Sequence, residues 1–369
     1  MDSETLDLVS LLALCAERGG SDLHLTVGAP PVIRLDGSLI PLDYPPLSSY
    51  LCRDLVLSAL SEAQRARLER DWELDFVLDI QNVGRFRGNA HYVRGRTEAT
   101  FRVIPAEIPS LEELGHRPTM KQICLLEEGL VLITGTTGSG KTTTLASMIK
   151  TIVAARACLV VSIEDPVEFI LDNGIGIVKQ REVGLDTKSF AASLKHVLRQ
   201  DPDVIVISEL RDLETMRAAI TAAETGHLVI ATLHTLDAPK AIDRIIDVFP
   251  PDQQSQITVQ LSNCLRAVIA QRLLPRADGR GRVMATETLV ATDAVRACIR
   301  ERKTHMLVGI MEIGSAEGMN TLDVSLAELV QAGAISREEA ILHARDAESI
   351  PEPVNQPGER KGWFGGRRR

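Results

Sequence analysis

A glycine-rich segment at residues 135–142 has the composition and spacing of a phosphate-binding loop. Its sequence, GTTGSGKT, fits the pattern G-x-x-x-x-G-K-[ST], and it stands between an apolar strand-like run and a predicted helix beginning near Thr143. Glycines let backbone N–H groups converge on phosphate oxygens, and the amino terminus of the helix favours negative charge. The predicted nucleotide-binding residues are Gly135, Thr136, Thr137, Gly138, Ser139, Gly140, Lys141, Thr142 and Thr143.

Two side chains of this loop have a predicted role of their own. We expect Lys141 to reach the β- and γ-phosphates of a nucleotide, and the Thr142 hydroxyl to help hold Mg²⁺. Kinases, GTPases, transport motors and helicases all use such loops. The loop therefore predicts nucleotide binding, and the reaction must be inferred from other strands.

Two further apolar runs end in carboxylates. Residues 158–163 lead into Glu164, and residues 204–208 lead into Glu209. Ligands of open parallel sheets bind at the carboxyl ends of the strands, so both acids are expected beside the phosphate loop. An acid there can hold the water shell of a metal or polarise an attacking water. Each could also be an ordinary strand-end surface acid, but two beside one loop favour catalysis.

Histidines stand at both ends of another apolar run, at residues 228–233. His227 opens this run and His234 closes it. A histidine at a strand end beside a nucleotide can donate a hydrogen bond to the γ-phosphate. A structural role is the commoner interpretation of a lone histidine at such a position.

The chain from residue 119 onward has the pattern of an α/β domain. The runs at residues 129–134, 158–163, 204–208 and 228–233 are apolar on both faces and are separated by helical stretches. This pattern predicts a parallel sheet covered by helices. Residues 285–348, rich in Ala, Leu and Glu, are predicted to be helical, and the domain is expected to span residues 119–350.

A smaller α+β domain is predicted at residues 1–105. An amphipathic helix ends at Gly19 and Gly20, alternating strand patterns run from residue 21 to 104, and residues 58–70 look helical. Prolines mark residues 106–118 as a linker. The Pro/Gly-rich tail at residues 351–369 is predicted to be disordered, with a membrane-surface or partner contact as the alternative.

Composition narrows the class of partner. The 369 residues carry a net charge of −9 and only 3% aromatics, which argues against direct nucleic-acid binding. The six cysteines form no CxxC pair, and are interpreted as buried thiols of a reducing compartment. Neither a signal peptide nor an apolar run long enough to span a membrane is recognised, so we expect a cytoplasmic protein.

Four boxes in this order resemble the type II/IV secretion ATPases. They are the phosphate loop, an aspartate box around residues 163–169, an atypical Walker B segment at residues 203–209 and a histidine box at residues 223–235. Within that family the chain is most similar to the pilus retraction (PilT-like) ATPases. Supporting segments include SDLHL from Ser21, ELRDLET from Glu209, AQRLLP from Ala270 and GMNTLD from Gly318.

The resemblance implies a fold, an activity and an assembly. It implies a RecA-like ATPase domain preceded by a PAS-like domain, in a homohexamer that uses ATP and Mg²⁺ and acts on an inner-membrane pilus platform protein. Glu164 would activate water, and Glu209 would act on Mg²⁺ through water. His227 and His234 would couple the phosphate to the domain interface. Arg87 and Arg102 match the arginine fingers of the family, although pairing with surface acids is their plainer interpretation.

Departures from the family pattern leave alternatives open. Ser208 replaces the usual glycine before the Walker B acid, and Ala297 and Cys298 alter the motif that marks retraction enzymes. The tetracysteine zinc insertion of the extension ATPases is missing, which favours retraction over assembly. The alternatives are an accessory retraction ATPase that depends on a second motor, and an ATPase serving secretion or DNA uptake.

Overall fold

The computed structural model describes residues 6–35, 37–104 and 107–353. These residues form two β-sheets with separate hydrophobic cores, the first built from residues 22–104 and the second from residues 129–290. The predicted α/β class is confirmed. The predicted domain boundary falls at residues 105 and 106, outside the described residues, and so does most of the predicted tail. No helix among the described residues is long and apolar enough to cross a membrane.

The first sheet has six strands, and all neighbouring pairs are antiparallel. The strands are β1 (Asp22–Leu25), β2 (Val32–Leu35), β3 (Ser38–Pro41), β4 (Glu73–Ile80), β5 (Gly84–Val93) and β6 (Arg96–Ile104). Their order across the sheet is β3-β2-β1-β6-β5-β4. The long neighbouring strands β5 and β6 carry the two predicted arginine fingers, Arg87 and Arg102.

Three helices accompany this sheet: α1 (Leu8–Glu17), α2 (Ser49–Ser58) and α3 (Glu62–Asp71). The first begins where the Asp7 carboxylate accepts a 2.9 Å hydrogen bond from the Ser10 N–H. The helix predicted at residues 58–70 is observed as α3, which begins four residues later because its amino-terminal cap is Ser61. Its hydroxyl accepts the Gln64 N–H, and the Gln64 side chain accepts the Ser61 N–H.

The second sheet has seven strands. They are β7 (Gly129–Thr134), β8 (Leu159–Glu164), β9 (Ile177–Glu182), β10 (Val204–Ile207), β11 (Leu228–Leu233), β12 (Leu265–Pro275) and β13 (Arg282–Val290). Their order is β13-β12-β7-β11-β10-β8-β9, and every pair is parallel except β12 with β13. The strand that leads into the phosphate loop, β7, therefore lies inside the sheet.

Helices cover both faces of this sheet. They are α4 (Thr119–Cys124), α5 (Lys141–Ala155), α6 (Phe190–Val197), α7 (Leu213–Glu224), α8 (Ala238–Asp247), α9 (Pro251–Cys264), α10 (Asp293–Arg300), α11 (Leu307–Ile313), α12 (Leu322–Gln331) and α13 (Arg337–His343). Along β7, Leu130 and Leu132 enter one core, whereas Val131 and Ile133 enter the core that contains α5. Burial on both faces explains the continuous apolar runs of the sequence.

The prediction of helix throughout residues 285–348 is wrong at its start, because β13 continues to Val290. This strand pairs antiparallel with β12 and is buried along most of its length. Its Ala and Glu residues resemble helix composition, but its β-branched residues, Val283, Thr286, Thr288 and Val290, suit a strand. Strands β9 and β12 were not predicted either, since their charged and amide residues interrupt the apolar pattern.

A buried ion pair holds the start of α8, the helix that follows His234. Glu287 on β13 is 1% exposed, and its Oε1 accepts the Ala238 N–H at 2.9 Å. Its Oε2 lies 2.5 Å from Nη1 of Arg345, beyond α13. The carboxylate thus joins an edge strand, a helix start and the carboxyl-terminal segment. Removing one member of such a pair leaves a charge buried without compensation.

We expect Arg345→Met to lower the free energy of unfolding by about 3 kcal/mol, because Glu287 would remain charged and buried. The double variant Arg345→Met with Glu287→Gln removes that charge and keeps an oxygen for the Ala238 N–H. We therefore expect it to recover at least half of the loss in thermal and urea unfolding measured by circular dichroism. Equal stability of the single and double variants would contradict this account.

Candidate nucleotide site

Four of the predicted site elements meet at one edge of the second sheet. The phosphate loop follows β7, Glu164 ends β8, Glu209 comes two residues after β10, and His234 follows β11. These strands are parallel, so their carboxyl ends lie along the same edge. The fold therefore brings these distant parts of the chain together where the sequence predicts ligand binding.

The phosphate loop is closed around its own lysine. Lys141 is largely buried, and its Nζ donates to the carbonyl oxygens of Gly135 at 2.8 Å and Thr136 at 2.9 Å. Burial lowers the pKa of Lys141, and the negative charge of Glu209 opposes that shift. The buried ammonium is hydrogen-bonded to neutral backbone carbonyls. Charged phosphate oxygens would bind it more strongly.

The start of α5 is open to an anion. The helix begins at Lys141, two residues before the predicted Thr143, and Gly140 at its amino-terminal cap has φ +88°. Within the described residues no side chain caps this end. Its first N–H groups and the helix dipole therefore suit a phosphate. A Cβ at Gly135 would lie 2.5 Å from the Gln271 carbonyl oxygen, so only glycine fits there.

Glu164 is the more buried of the two predicted carboxylates. It is 8% exposed, and its Oε1 accepts hydrogen bonds from Ser162 Oγ at 2.6 Å and Gln180 Nε2 at 2.9 Å. Burial raises the pKa of Glu164, and these two hydrogen bonds oppose the shift. Glu164 and Thr142 line the same small cavity. The carboxyl group thus lies beside the loop with a raised proton affinity.

Glu209 has the opposite electrostatic environment. Its carboxylate contacts Nη2 of Arg211 at 2.7 Å and Nε2 of His234 at 3.1 Å. Burial alone would raise the pKa of Glu209, but the hydrogen bonds and charges of Arg211 and His234 outweigh it and lower that pKa. Glu209 is therefore held ionised.

Thr134 connects the histidine turn to the phosphate loop. Its hydroxyl accepts the Thr235 N–H at 3.0 Å and lies 2.5 Å from the Thr235 carbonyl oxygen. Thr134 immediately precedes Gly135, and Thr235 immediately follows His234. Any shift of the loop must therefore act on the turn that carries His234.

The sequence and the fold match those of known proteins. Residues 17–342 match the family model of the type II/IV secretion system proteins. The type IV pilus retraction ATPase PilT of Pseudomonas aeruginosa is 43% identical, over 94% of this chain and 99% of its own length. The type IV pilus ATPase PilU of that organism is 41% identical, over 94% of this chain and 90% of its own length. A crystal structure of the pilus retraction motor PilT with bound ADP superimposes with a TM-score of 0.86 at 43% identity, covering 94% of this chain and 99% of that one.

The chain belongs to the type II/IV secretion system family. The predictions of a PilT-like protein, of nucleotide binding and of ATPase activity are confirmed. The roles of the individual site residues stay predictions, and the structure places each of these residues.

One of these predictions needs correction, because His227 lies away from the phosphate loop of its own chain. His227 precedes β11 and His234 follows it, so the two histidines lie at opposite ends of this strand. Six strand residues at about 3.3 Å each separate them by roughly 20 Å. The His227 ring nitrogen Nδ1 instead lies 3.1 Å from the Ala222 carbonyl oxygen, and its own carbonyl accepts the Gly129 N–H. Here the structural interpretation of the histidine applies.

The two predicted arginine fingers are neighbours on the first sheet, since Arg87 on β5 pairs directly with Arg102 on β6. Arg87 Nη1 lies 3.3 Å from Glu168 Oε1, so it contacts the segment that follows Glu164. Arg102 Nε donates to Asp22 Oδ1 at 2.9 Å, within its own sheet. Of these two arginines, Arg87 contacts the segment beside Glu164, whereas Arg102 does not.

Sequence reasoning missed several side chains that support the site. Gln180 donates to Glu164, and Arg211 pairs with Glu209. Arg85, two residues before Arg87, donates to the Val167 carbonyl oxygen at 2.9 Å. A strand assignment for residues 177–182 would have placed Gln180 beside β8, and alternation along β5 puts Arg85 on the face of Arg87.

We expect Glu164→Gln to stabilise the protein at pH 8. The folded state raises the pKa of Glu164 above its ordinary 4.5, so the ionised carboxylate costs stability at high pH. That cost disappears as the pH falls below 4.5, where the group is protonated in both states. The melting temperature of the variant should exceed that of the wild type at pH 8, and the difference should shrink toward pH 4.5. A constant difference, or a less stable variant at pH 8, would contradict this.

Proposed function

We propose that this chain is a Mg²⁺-dependent ATPase motor that assembles as a homohexamer and powers type IV pilus retraction. The observation that supports hydrolysis is that buried Glu164 and Thr142, at the start of α5, line the same small and mostly apolar cavity. Pilus retraction is supported by the 43% identity to PilT across nearly the whole of both chains. The hexamer is an expectation from the family resemblance.

The nucleotide phosphates would bind to the backbone N–H groups of residues 135–143, which include the start of α5. Lys141 would leave the carbonyl oxygens of Gly135 and Thr136 and donate to the β- and γ-phosphates. The exchange is favourable because a charged hydrogen bond to phosphate is stronger than one to a neutral carbonyl.

Magnesium would be held by the Thr142 hydroxyl and, through water, by ionised Glu209. Among the described residues no group of three or more His, Cys, Asp or Glu could hold a metal by itself. Mg²⁺ commonly takes one or two protein ligands together with nucleotide phosphates, so these two residues fit it. When bound, the ion would neutralise phosphate charge.

Glu164 would act as the base that takes a proton from the attacking water. A base works best when its pKa is close to the working pH, and burial moves the pKa of Glu164 in that direction. Ser162 and Gln180 would hold the carboxylate in place while the water approaches.

The histidine turn and the arginines would connect hydrolysis to movement. Loss of the γ-phosphate would change the surroundings of Glu209 and therefore of His234, which Thr134 also ties to the loop. Arg87, and Arg102 after release from Asp22, would approach the phosphates from the first sheet as fingers. Ordered closure around a ring would make the cycle directional.

The motor is proposed to work at the cytoplasmic face of the inner membrane. Following the family resemblance, it would act on the pilus platform protein and reach the membrane only through that partner. The net charge of −9 and the scarcity of aromatic residues support a protein partner over direct nucleic-acid binding.

We expect Lys141→Ala to abolish steady-state ATP hydrolysis, because the loop would lose its phosphate-binding ammonium. Glu164→Gln should bind ATP but reduce turnover at least about 100-fold, the usual share of a general base. Lys150→Ala, on the exposed side of the same helix, is the matched control and should keep wild-type turnover. Near-normal turnover by Glu164→Gln would remove that residue from catalysis.

Light scattering of the same wild-type sample should give six subunits.

We expect Arg87 to serve the nucleotide site of its own chain, because it contacts Glu168 of that chain. Arg87→Ala should slow turnover strongly. Mixing it with Lys141→Ala subunits should not restore activity, since no subunit would then combine an intact loop with its own Arg87. Restored activity in the mixed rings would show instead that the arginine acts on a neighbouring subunit.

A second candidate is an accessory retraction ATPase that depends on a second motor, and the 41% identity to PilU, another type IV pilus ATPase, keeps it open. Such a protein would bind ATP and form rings but would scarcely hydrolyse ATP alone. Robust, Lys141-dependent turnover by the purified chain would argue against it. A secretion or DNA-uptake role would be excluded by loss of twitching with intact secretion in a deletion strain.

A further inference from the structure

The carbonyl groups of the phosphate loop are held from outside by several donors. Besides Lys141, which occupies the Gly135 and Thr136 oxygens, Gln271 Nε2 donates to the Ser139 oxygen at 2.8 Å. Arg282 Nη1 lies 3.3 Å from the Gly138 oxygen. Gln271 and Arg282 come from β12 and β13, the two strands on the side of β7 away from the catalytic carboxylates.

The hydrogen bond from Gln271 to the Ser139 carbonyl also fixes the direction of the next N–H group, because the peptide unit is planar. The Ser139 carbonyl and the Gly140 N–H belong to one trans peptide unit, so they point in opposite directions. When Gln271 binds the carbonyl on the β12 side, the Gly140 N–H faces away from β12. Loops of this type bind phosphate with such N–H groups.

Gln271 is built into the fold at this point. It is 1% exposed, and in the part of the chain that the structure describes its Oε1 has no hydrogen-bond partner. Its backbone oxygen would lie 2.5 Å from a Cβ at Gly135, and its Nε2 3.3 Å from one at Gly140. A buried amide with one unpaired oxygen costs stability, so packing alone gives no reason for it.

We propose that Gln271 is a positioning residue of the phosphate loop, whose amide keeps the Ser139 carbonyl turned outward and the Gly140 N–H turned toward the nucleotide. Its contact differs from that of Lys141, which must leave its carbonyls to reach phosphate. The Gln271 bond lies on the opposite side of the peptide and persists when nucleotide binds. This inference rests on the proposed nucleotide site and adds a residue that does not itself touch the nucleotide.

The test is Gln271→Met, which keeps the length of the side chain and removes the donor. We expect affinity for a fluorescent ADP analogue to fall about three- to tenfold, the effect of one lost hydrogen bond. The KM for ATP should rise in parallel, while kcat at saturating ATP stays close to wild type. The melting temperature without nucleotide should change little, because the unpaired buried oxygen is removed while the Ser139 carbonyl loses its donor.

Gln254→Met is the matched control, since that amide also donates to a backbone carbonyl, of Phe249 at 3.0 Å, but from α9. It should bind the analogue as wild type does. Unchanged affinity of Gln271→Met together with a lower melting temperature would show a purely structural residue and overturn the proposal.

A second variant covers the case in which Gln271→Met does not fold. Gln271→Asn keeps the amide but is one methylene too short to reach Ser139, so its affinity should also fall. Wild-type affinity in this variant would overturn the proposal. Failure of the wild type and of Gln254→Met to bind the analogue would instead overturn the nucleotide site itself, and the proposal with it.

Discussion

The candidate site depends on the parallel register of β7 between β11 and β12. Thr134, the last residue of β7, pairs with Leu233 on one side and Ala270 on the other. The next residue of each neighbour is therefore His234 or Gln271, and the phosphate loop begins between them. A slip of one residue would turn each side chain to the opposite face of the sheet, and the site would be lost.

The loop itself is under competing demands. Its N–H groups must converge on phosphate, so its carbonyl groups must find donors elsewhere. Lys141 supplies two of those donations, but the same ammonium is needed by the nucleotide. Strand β12 resolves the conflict by contributing Gln271 from a part of the chain 132 residues away. On our proposal, nucleotide binding moves the Lys141 side chain and keeps the Gln271 contact.

The two carboxylates illustrate how one edge can provide two kinds of acid. Burial raises the proton affinity of Glu164, whereas Arg211 and His234 keep Glu209 ionised. Environments that shift the pKa values of neighbouring carboxylates in opposite directions suit the two roles that we propose for them, proton acceptor and metal-facing carboxylate. Because His234 contacts Glu209, the second of these environments extends to the turn before α8.

The phosphate loop, the apolar strands β7, β8, β10 and β11, and the acids at the ends of β8 and β10 can all be predicted from the amino-acid sequence. Local signals suffice there, since the loop motif and an apolar run ending in a carboxylate are contiguous in the chain. Recognition of the family rested on the same contiguous boxes.

Which side chains lie at the candidate site, and which lie away from it, depends on the three-dimensional fold. His227 and His234 stand at opposite strand ends, and their roles diverge with the direction of β11. Gln180 and Gln271 lie on strands whose polar residues hide the strand pattern, and each acts on a residue brought near by sheet pairing. Such contacts depend on strand order and register, which arise from packing over long sequence separations and leave no local trace in the sequence.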